Sequence, residues 1–388
     1  MPDPASELIS GYTAPGFEAL RDAFQQNFAA GLEVGASLCV EHRSERVVDL
    51  WGGYRDLAVT ERWHPDTLIN VYSTTKGIAA AAFALLVEDG LVAFSQPVAE
   101  LWPELIAGRS GLTIGDLLAH RGGLCGFREA LDVTDLYDWA KIVDLLSRQE
   151  PYWAPGTAAG YHAVSWGYLP GELVLRLTGH TLGSLLHNRI SRPLGADFYL
   201  GLPASEDHRV AALIGPNRAR RSAELTDQPQ TAGPLHEIAL HNPVIRPYQD
   251  AFSLPWRRAE IAASNGHASA RGVARIYGAL VSAEAADMLS PATMAELLAP
   301  RVESEVDLVL GQRLRRGAGV ILNFDGMFGP EQGAWGHPGA GGSLGFADPV
   351  NQLGFGYVMN QMLGGALGRE RTERLLCGLY QSIEALES

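Results

Sequence analysis

Lysine is almost absent from this chain of 388 residues: of its 30 basic side chains only Lys76 and Lys141 are not arginine. Arginine keeps its proton, whereas a desolvated lysine amine can give one up and act as a base. A chain that uses arginine for its surface cations therefore marks its two lysines for inspection. Cysteine is scarce too. Cys39, Cys125 and Cys377 are odd in number and lack C-x-x-C spacing, which argues against a disulfide framework and a cysteine metal site and predicts reduced, mostly buried thiols. Long apolar runs are missing. The longest, Ile78 to Val87, is closed by Glu88 and falls well short of the roughly 18 residues of a membrane span. No basic stretch leads into an apolar one at Met1 to Glu7, so nothing there reads as a secretory signal and the cytoplasm is the expected location. An excess of positive charge is also lacking. At −14, the formal charge argues against a nucleic-acid partner or an anionic membrane surface, both of which need clustered cations, and favours a small-molecule substrate.

What is present is enough apolar material, 46% of the residues, for a large core, in a chain longer than one compact unit usually needs. Phe17, Leu20, Phe24 and Phe28 recur at helical spacing and predict a helix ending near Gly31. Ala36 to Val40 and Val47 to Trp51 read as a β-hairpin around the charged turn Glu41 to Arg46. Helices follow at Ile78 to Val87, at Leu112 to His120 with Thr113 as cap, at Tyr137 to Ser147 and at Ser165 to Leu177, closed by Gly179. Residues 203–255 carry little periodicity and suggest a cover or a mobile segment. His236 and His241 fall within it, off the i+4 spacing of a zinc helix, so no metal site is expected. Helices over Ala270 to Val281 and Ala292 to Leu298 precede strand-like runs at Ala318 to Phe324, Ser343 to Ala347 and Leu353 to Met359, and Gly368 to Leu386 closes the chain as a helix. The expected class is α+β. Its sheet domain would be built from residues 1–76 and 265–388, with a mainly helical domain, 77–264, inserted and a cleft between them.

Three stretches carry possible chemistry. In Ser73-Thr74-Thr75-Lys76, at the start of a helix, serine and lysine share the first turn, where an amine can take the hydroxyl proton. Pro155 to Ala163 is a glycine-rich loop presenting Tyr161, and Trp335 to Gly342 is a glycine-rich stretch carrying His337. Taken singly, each has a structural reading: a helix-capping serine beside a solvated lysine, a packing tyrosine, a turn histidine. Lys141, with Asp138 three residues before it, reads as a surface residue. Gly341-Gly342-Ser343-Leu344-Gly345 fits the nucleophile elbow G-x-S-x-G, but no histidine follows it to complete a triad and it precedes a strand, so it reads as a turn.

S-x-x-K, then a tyrosine loop, then a cation-x-Gly strand near the C-terminus resembles the motif order of class C β-lactamases and DD-peptidases. Within that superfamily the chain is most similar to family VIII carboxylesterases. The similarity runs from the hairpin near Ala36 to the last helix and includes Leu117-Leu118-Ala119-His120-Arg121-Gly122-Gly123-Leu124. The resemblance implies an antiparallel sheet flanked by helices, with an inserted helical domain. It implies Ser73 as the acylated nucleophile, Lys76 as the partner that accepts or relays its proton, and Tyr161 as the base that returns the proton to the leaving group and activates water. The N–H groups of Ser73 and Ala340 would form the oxyanion hole, with Tyr72, His337 and Gly339 facing the substrate. Two positions depart from the lactamase pattern. Ala163 stands where that pattern has asparagine and His337 where it has lysine, which removes groups that hold a lactam's amide and carboxylate. The expected activity is a serine carboxylesterase acting on small, short-acyl esters without cofactor or metal. A β-lactamase, an amidase or DD-peptidase and an acyltransferase of the same superfamily stay open, as does a non-catalytic binding protein.

Overall fold

The computed structural model describes residues 8–215, 233–282 and 288–387. The reading of Met1 to Glu7 and the middle of the segment 203–255 lie outside the described residues. The hairpin is the seed of the sheet. Strands β2 (Gly35–His42) and β3 (Glu45–Gly53) pair antiparallel as expected, but their turn is only two residues long, Arg43 and Ser44, both at positive φ. Such a turn matches the twist of the flanking strands. The charged run Glu41 to Arg46 continues the ladder because Glu41 is met there by Arg46 and Arg275.

Among the described residues nine antiparallel strands form the main sheet, in the order β1-β3-β2-β12-β11-β10-β9-β8-β7. The others are β1 (Ile9–Thr13), β7 (Val302–Val306), β8 (Arg313–Arg316), β9 (Ile321–Leu322), β10 (Trp335–Pro338), β11 (Leu344–Asp348) and β12 (Leu353–Met359). Both ends of the chain thus contribute strands. β2, β11 and β12 are buried along nearly their whole length, which requires cover on both faces. The helix Ala270–Ala279 packs against β12 at Gly354 and Gly356, where a Cβ would run into the helix backbone. Helix α1 (Glu18–Ala29) pairs with the C-terminal helix Gly365–Glu387. A second sheet, β4 (Ile69–Asn70), β6 (His267–Ala268) and β5 (Phe198–Tyr199), sits at the approach to Ser73.

Along the chain between β4 and β5 come α2 (Thr74–Glu88), α3 (Ile114–Leu118), α4 (Trp139–Arg148) and α5 (Tyr168–Thr178). From Thr74 to Leu86 every side chain of α2 is buried, the pattern of a helix surrounded by core rather than amphipathic. Thr113 caps α3 by accepting from the Asp116 N–H, and Gly179, at φ 72°, ends α5. Two expected elements change. The run Ala318 to Phe324 keeps only β9, because Ala318 donates to Leu297 and Gly319 turns at φ 89°. The helix expected from Tyr137 starts at Trp139, capped by Asp138. Lys141 reaches Asp135 at 2.7 Å on the surface. Cys39 and Cys125 are buried, Cys377 is exposed, and all three are free thiols. Among the described residues no helix is long and apolar enough to cross a membrane.

Candidate active site

The turn into α2 is held from several sides. The Val71 N–H donates to Gly266, the Thr75 hydroxyl donates to the Tyr72 carbonyl at 2.5 Å, and the Ser343 hydroxyl donates to the Val71 carbonyl at 2.8 Å. Tyr72 adopts φ 44°, a left-handed conformation that a bulky residue enters only when its surroundings impose it. Ser73 follows at the helix cap, yet its side chain makes no capping bond. The helix-capping alternative for this serine therefore fails, and its Oγ faces two other groups.

One is Lys76, a turn further along α2 and fully buried. Its Nζ lies 3.2 Å from Ser73 Oγ and donates to the carbonyls of Ala163 and Ala263, each at 2.9 Å. Burial, seconded by the charge of Arg316, holds this amine well below its ordinary pKa. The other is Tyr161, whose hydroxyl donates to Ser73 Oγ at 2.6 Å. Burial pushes its phenol up to about 12, against smaller opposing pulls from the Ser73 bond and Arg316. Lys76 Nζ also lies over the Tyr161 ring, 4.7 Å from its centre.

The Tyr161 loop is braced by residues on both sides. His162 donates its backbone N–H to His120 Nδ1 at 3.0 Å, and its ring Nε2 accepts from the Leu124 N–H at 3.0 Å. Its Nδ1 lies 2.6 Å from the Gly160 carbonyl. Those partners fix a neutral imidazole with the proton on Nδ1, in keeping with a pKa lowered by burial to about 4. The stretch Leu117 to Leu124 thus supports the loop through His120 and the Leu124 amide. From the other side the Tyr161 N–H donates to Asp307 at 3.0 Å.

The third wall is the turn from β10 to β11. Gly339 donates to the Ser343 carbonyl, and a Cβ on it would strike the Ser343 hydroxyl and the Val71 carbonyl, so the turn accepts only glycine there. His337 is buried with its ring 6.0 Å from that of Tyr161. Its Nδ1 lies 2.7 Å from the Pro338 carbonyl, and burial next to Lys76 lowers it to about 3. Ser73, Tyr161, His337, Gly339 and Ala340 line one cleft of about 350 Å³, together with Tyr72, Ala163, Leu240, Ile245, Pro247 and Met362. Among the described residues lining it, none is Asp, Glu, Lys or Arg. Among the described residues, neither the Ser73 nor the Ala340 amide donates to another group of the chain.

Every site residue expected from sequence gathers around this cleft, and Leu240, Ile245 and Pro247 bring the segment 203–255 to its rim. Ala163 contributes a carbonyl to Lys76 in place of a polar side chain. Sequence reasoning missed Ser343 as a support beneath Ser73, His120 and His162 as braces, and Asp307 with Arg316 behind Tyr161. The stretches quoted around His120, His162 and Ser343 marked those three positions without showing their supporting contacts, and nothing in the sequence marked Asp307 or Arg316. Among the described residues no group of three His, Cys, Asp or Glu could hold a metal ion. His236 and His241 face each other edge-on instead, with His241 Nδ1 2.8 Å from Glu237.

Comparison with known proteins gives the family. The family profile described as Beta-lactamase matches residues 22–379. Esterase/beta-lactamase LipL of Mycobacterium tuberculosis is 31% identical over 368 residues, covering 92% of this chain and 84% of LipL. A family VIII carboxylesterase of known structure is 40% identical, superposes with a TM-score of 0.87, and is covered over 99% of its length by 96% of this chain. A penicillin-binding protein homologue from Caulobacter crescentus, 38% identical, superposes equally well at 0.87, again with 96% of this chain on 99% of that one. With a profile spanning nearly its whole length and these relatives alongside, the chain belongs to the β-lactamase family.

Proposed function

We propose that the protein is a serine carboxylesterase that hydrolyses small neutral esters through an acyl-enzyme on Ser73. The observation that carries this reading is Ser73 Oγ within hydrogen-bond reach of both Lys76 Nζ, at 3.2 Å, and Tyr161 OH, at 2.6 Å, on the wall of a cleft with no Asp, Glu, Lys or Arg among the described lining residues. The lowered Lys76 amine is neutral in the resting enzyme. Its two N–H groups serve the carbonyls of Ala163 and Ala263, which leaves its lone pair for the Ser73 proton. As Oγ attacks the ester carbonyl, that proton passes to Lys76. The amides of Ser73 and Ala340 receive the developing oxyanion. Collapse breaks the bond to the alcohol, whose oxygen takes the Tyr161 proton, and Lys76 returns a proton to the phenolate. Water then enters by the reverse of these transfers and releases the acid.

Lactam antibiotics carry a carboxylate, and the neutral His337 offers it no charge. LipL bears both activities in its name; the uncharged cleft here favours the ester. Labelling with a fluorophosphonate, mapped by peptide mass, tests the nucleophile: modification of Ser73 alone is expected, and an unmodified Ser73 beside a labelled Ser343 overturns the reading. p-Nitrophenyl butyrate is expected to show a kcat/KM far above that of benzylpenicillin on the same preparation, and comparable values would overturn the ester preference.

A further inference from the structure

We propose that Arg316, clamped by Asp307, is a positioning residue of the Ser73 site: it fixes the loop that carries Tyr161 and sets a permanent charge near the Lys76 amine. This rests on the reading of Ser73 as nucleophile and Lys76 as its base.

Asp307 closes β7 and Arg316 ends β8, at the far edge of the main sheet, yet both side chains are almost wholly buried. Arg316 Nη1 donates to Asp307 Oδ2 at 2.7 Å. The other carboxylate oxygen accepts three backbone amides: those of Tyr161 at 3.0 Å, Val309 at 2.9 Å and Leu310 at 2.8 Å. One carboxylate thereby ties its own hairpin to the Tyr161 loop, and the Leu308 N–H adds a second tie by donating to Ala159 at 3.0 Å. The guanidinium carbon lies over the Tyr161 ring, 5.7 Å from its centre, as Lys76 Nζ does at 4.7 Å. Two basic groups thus share one aromatic ring. Burial is expensive for both, and the one able to lose its proton is Lys76. The titratable groups around that amine are Tyr161, His120, His162 and His337. Burial keeps the phenol protonated and the imidazoles neutral. The Arg316–Asp307 pair is therefore the charge that decides the field at Lys76, and within it Arg316 opposes protonation of the amine. Neither residue reaches the cleft lining, so the effect passes through Tyr161 and Lys76.

The test is the pH dependence of the fluorophosphonate labelling rate at Ser73 and of kcat/KM for p-nitrophenyl butyrate. Wild type is compared with Arg316→Lys, Arg316→Met and the double variant Asp307→Asn/Arg316→Gln. Labelling requires neutral Lys76, so the rate rises with pH along an acid limb. Removing the guanidinium raises the Lys76 pKa, so in Arg316→Met that limb moves to higher pH by about one unit, a roughly tenfold slower rate at a fixed pH on the limb. Arg316→Lys keeps the limb in place. Arg316→Met leaves Asp307 buried and unpaired, which threatens folding; the double variant, neutral and matched in shape, then gives the reading and also shifts the limb upward. An acid limb unchanged in the folded charge-removing variants overturns the proposal, even if overall rates fall. A wild-type enzyme whose Ser73 is not labelled at all overturns the nucleophile reading instead.

Discussion

Two serines meet the turn into α2, and their contrast is one of partners. Ser343 occupies a G-x-S-x-G sequence and Ser73 an S-x-x-K sequence. Ser343 is 2% exposed, donates to the Val71 carbonyl and shares a bond with the Thr74 hydroxyl at 3.0 Å. Its hydrogen-bonding capacity is spent on holding the turn above it. Ser73 spends none on structure. It faces a phenol that donates to it and a buried amine whose pKa is held well below the ordinary value. The two hydroxyls are intrinsically alike. Partners and burial hold one to support and leave the other open to the chemistry proposed for it.

The comparison breaks most sharply at Ser73 itself. Ser73→Ala is expected to lower kcat by up to about 10⁶, the scale found when a nucleophile working as a unit with its base is removed. Ser343→Ala should keep measurable turnover. Steady-state hydrolysis of p-nitrophenyl butyrate by both variants decides between the serines, and full activity in Ser73→Ala would overturn the assignment. Next in size is Tyr161→Phe, which keeps the ring under Lys76 but removes the donor to Ser73. A loss of about 10²–10⁴ in kcat with an unchanged melting temperature is expected. Lys76→Arg should fail as well, since arginine does not surrender its proton; near-normal turnover in that variant would reduce Lys76 to a fixed charge.

On the support side the expected effect is on stability. Removing the Ser343 hydroxyl leaves the buried Val71 carbonyl and Thr74 hydroxyl each short of a partner, at a cost of about 1–3 kcal/mol, to be read from denaturant unfolding. The surroundings of Ser73 add a pH dependence of their own. His162, His267 and His337 have folded pKa values lowered by burial to about 4, 3 and 3. The unfolded chain binds these protons first, near pH 6.5, so the stability they contribute is complete above that pH and drains away as pH falls toward 4 and then 3. Each histidine contributes a slope of about 1.4 kcal/mol per pH unit within its window. Unfolding midpoints that stay flat from pH 7 to 4 would contradict the buried neutral imidazoles. The smallest effect is expected at His337→Lys. A lysine there would be desolvated beside Lys76 and would hold little charge, so the gain in benzylpenicillin turnover should stay below the one to two decades, about 1.5–3 kcal/mol, of a full charge-assisted bond. A larger gain would show that charge alone separates this cleft from a lactam site.

The proposed site was legible because it rests on local spacing and unusual composition: one of only two lysines in an arginine-rich chain, a turn from a serine. The long apolar runs of β2, β12 and α2 were legible for the same reason. What escaped sequence reading depends on distant partners. β8 reads Arg-Leu-Arg-Arg and β9 is two residues long, so neither shows alternation or an apolar run until its neighbours are known. The Arg316–Asp307 pair could not be foreseen, since nothing local distinguishes a buried guanidinium from the many arginines at the surface. Nor does sequence say that Ser343 points at the Val71 carbonyl, a contact between opposite ends of the chain.

That the first hairpin completes its sheet only by pairing β2 with β12, as in Val40 against Phe355, has a consequence for synthesis. On the ribosome, β2 (Gly35–His42) emerges long before its partner β12 (Leu353–Met359), so for tens of seconds at about 5–20 residues per second a buried strand's edge stands open. An unpaired apolar edge is a template for other chains. The most hazardous period in the life of this protein therefore comes before it has a substrate, and slowing translation across the middle of the message should raise its tendency to aggregate while leaving every finished molecule equally active.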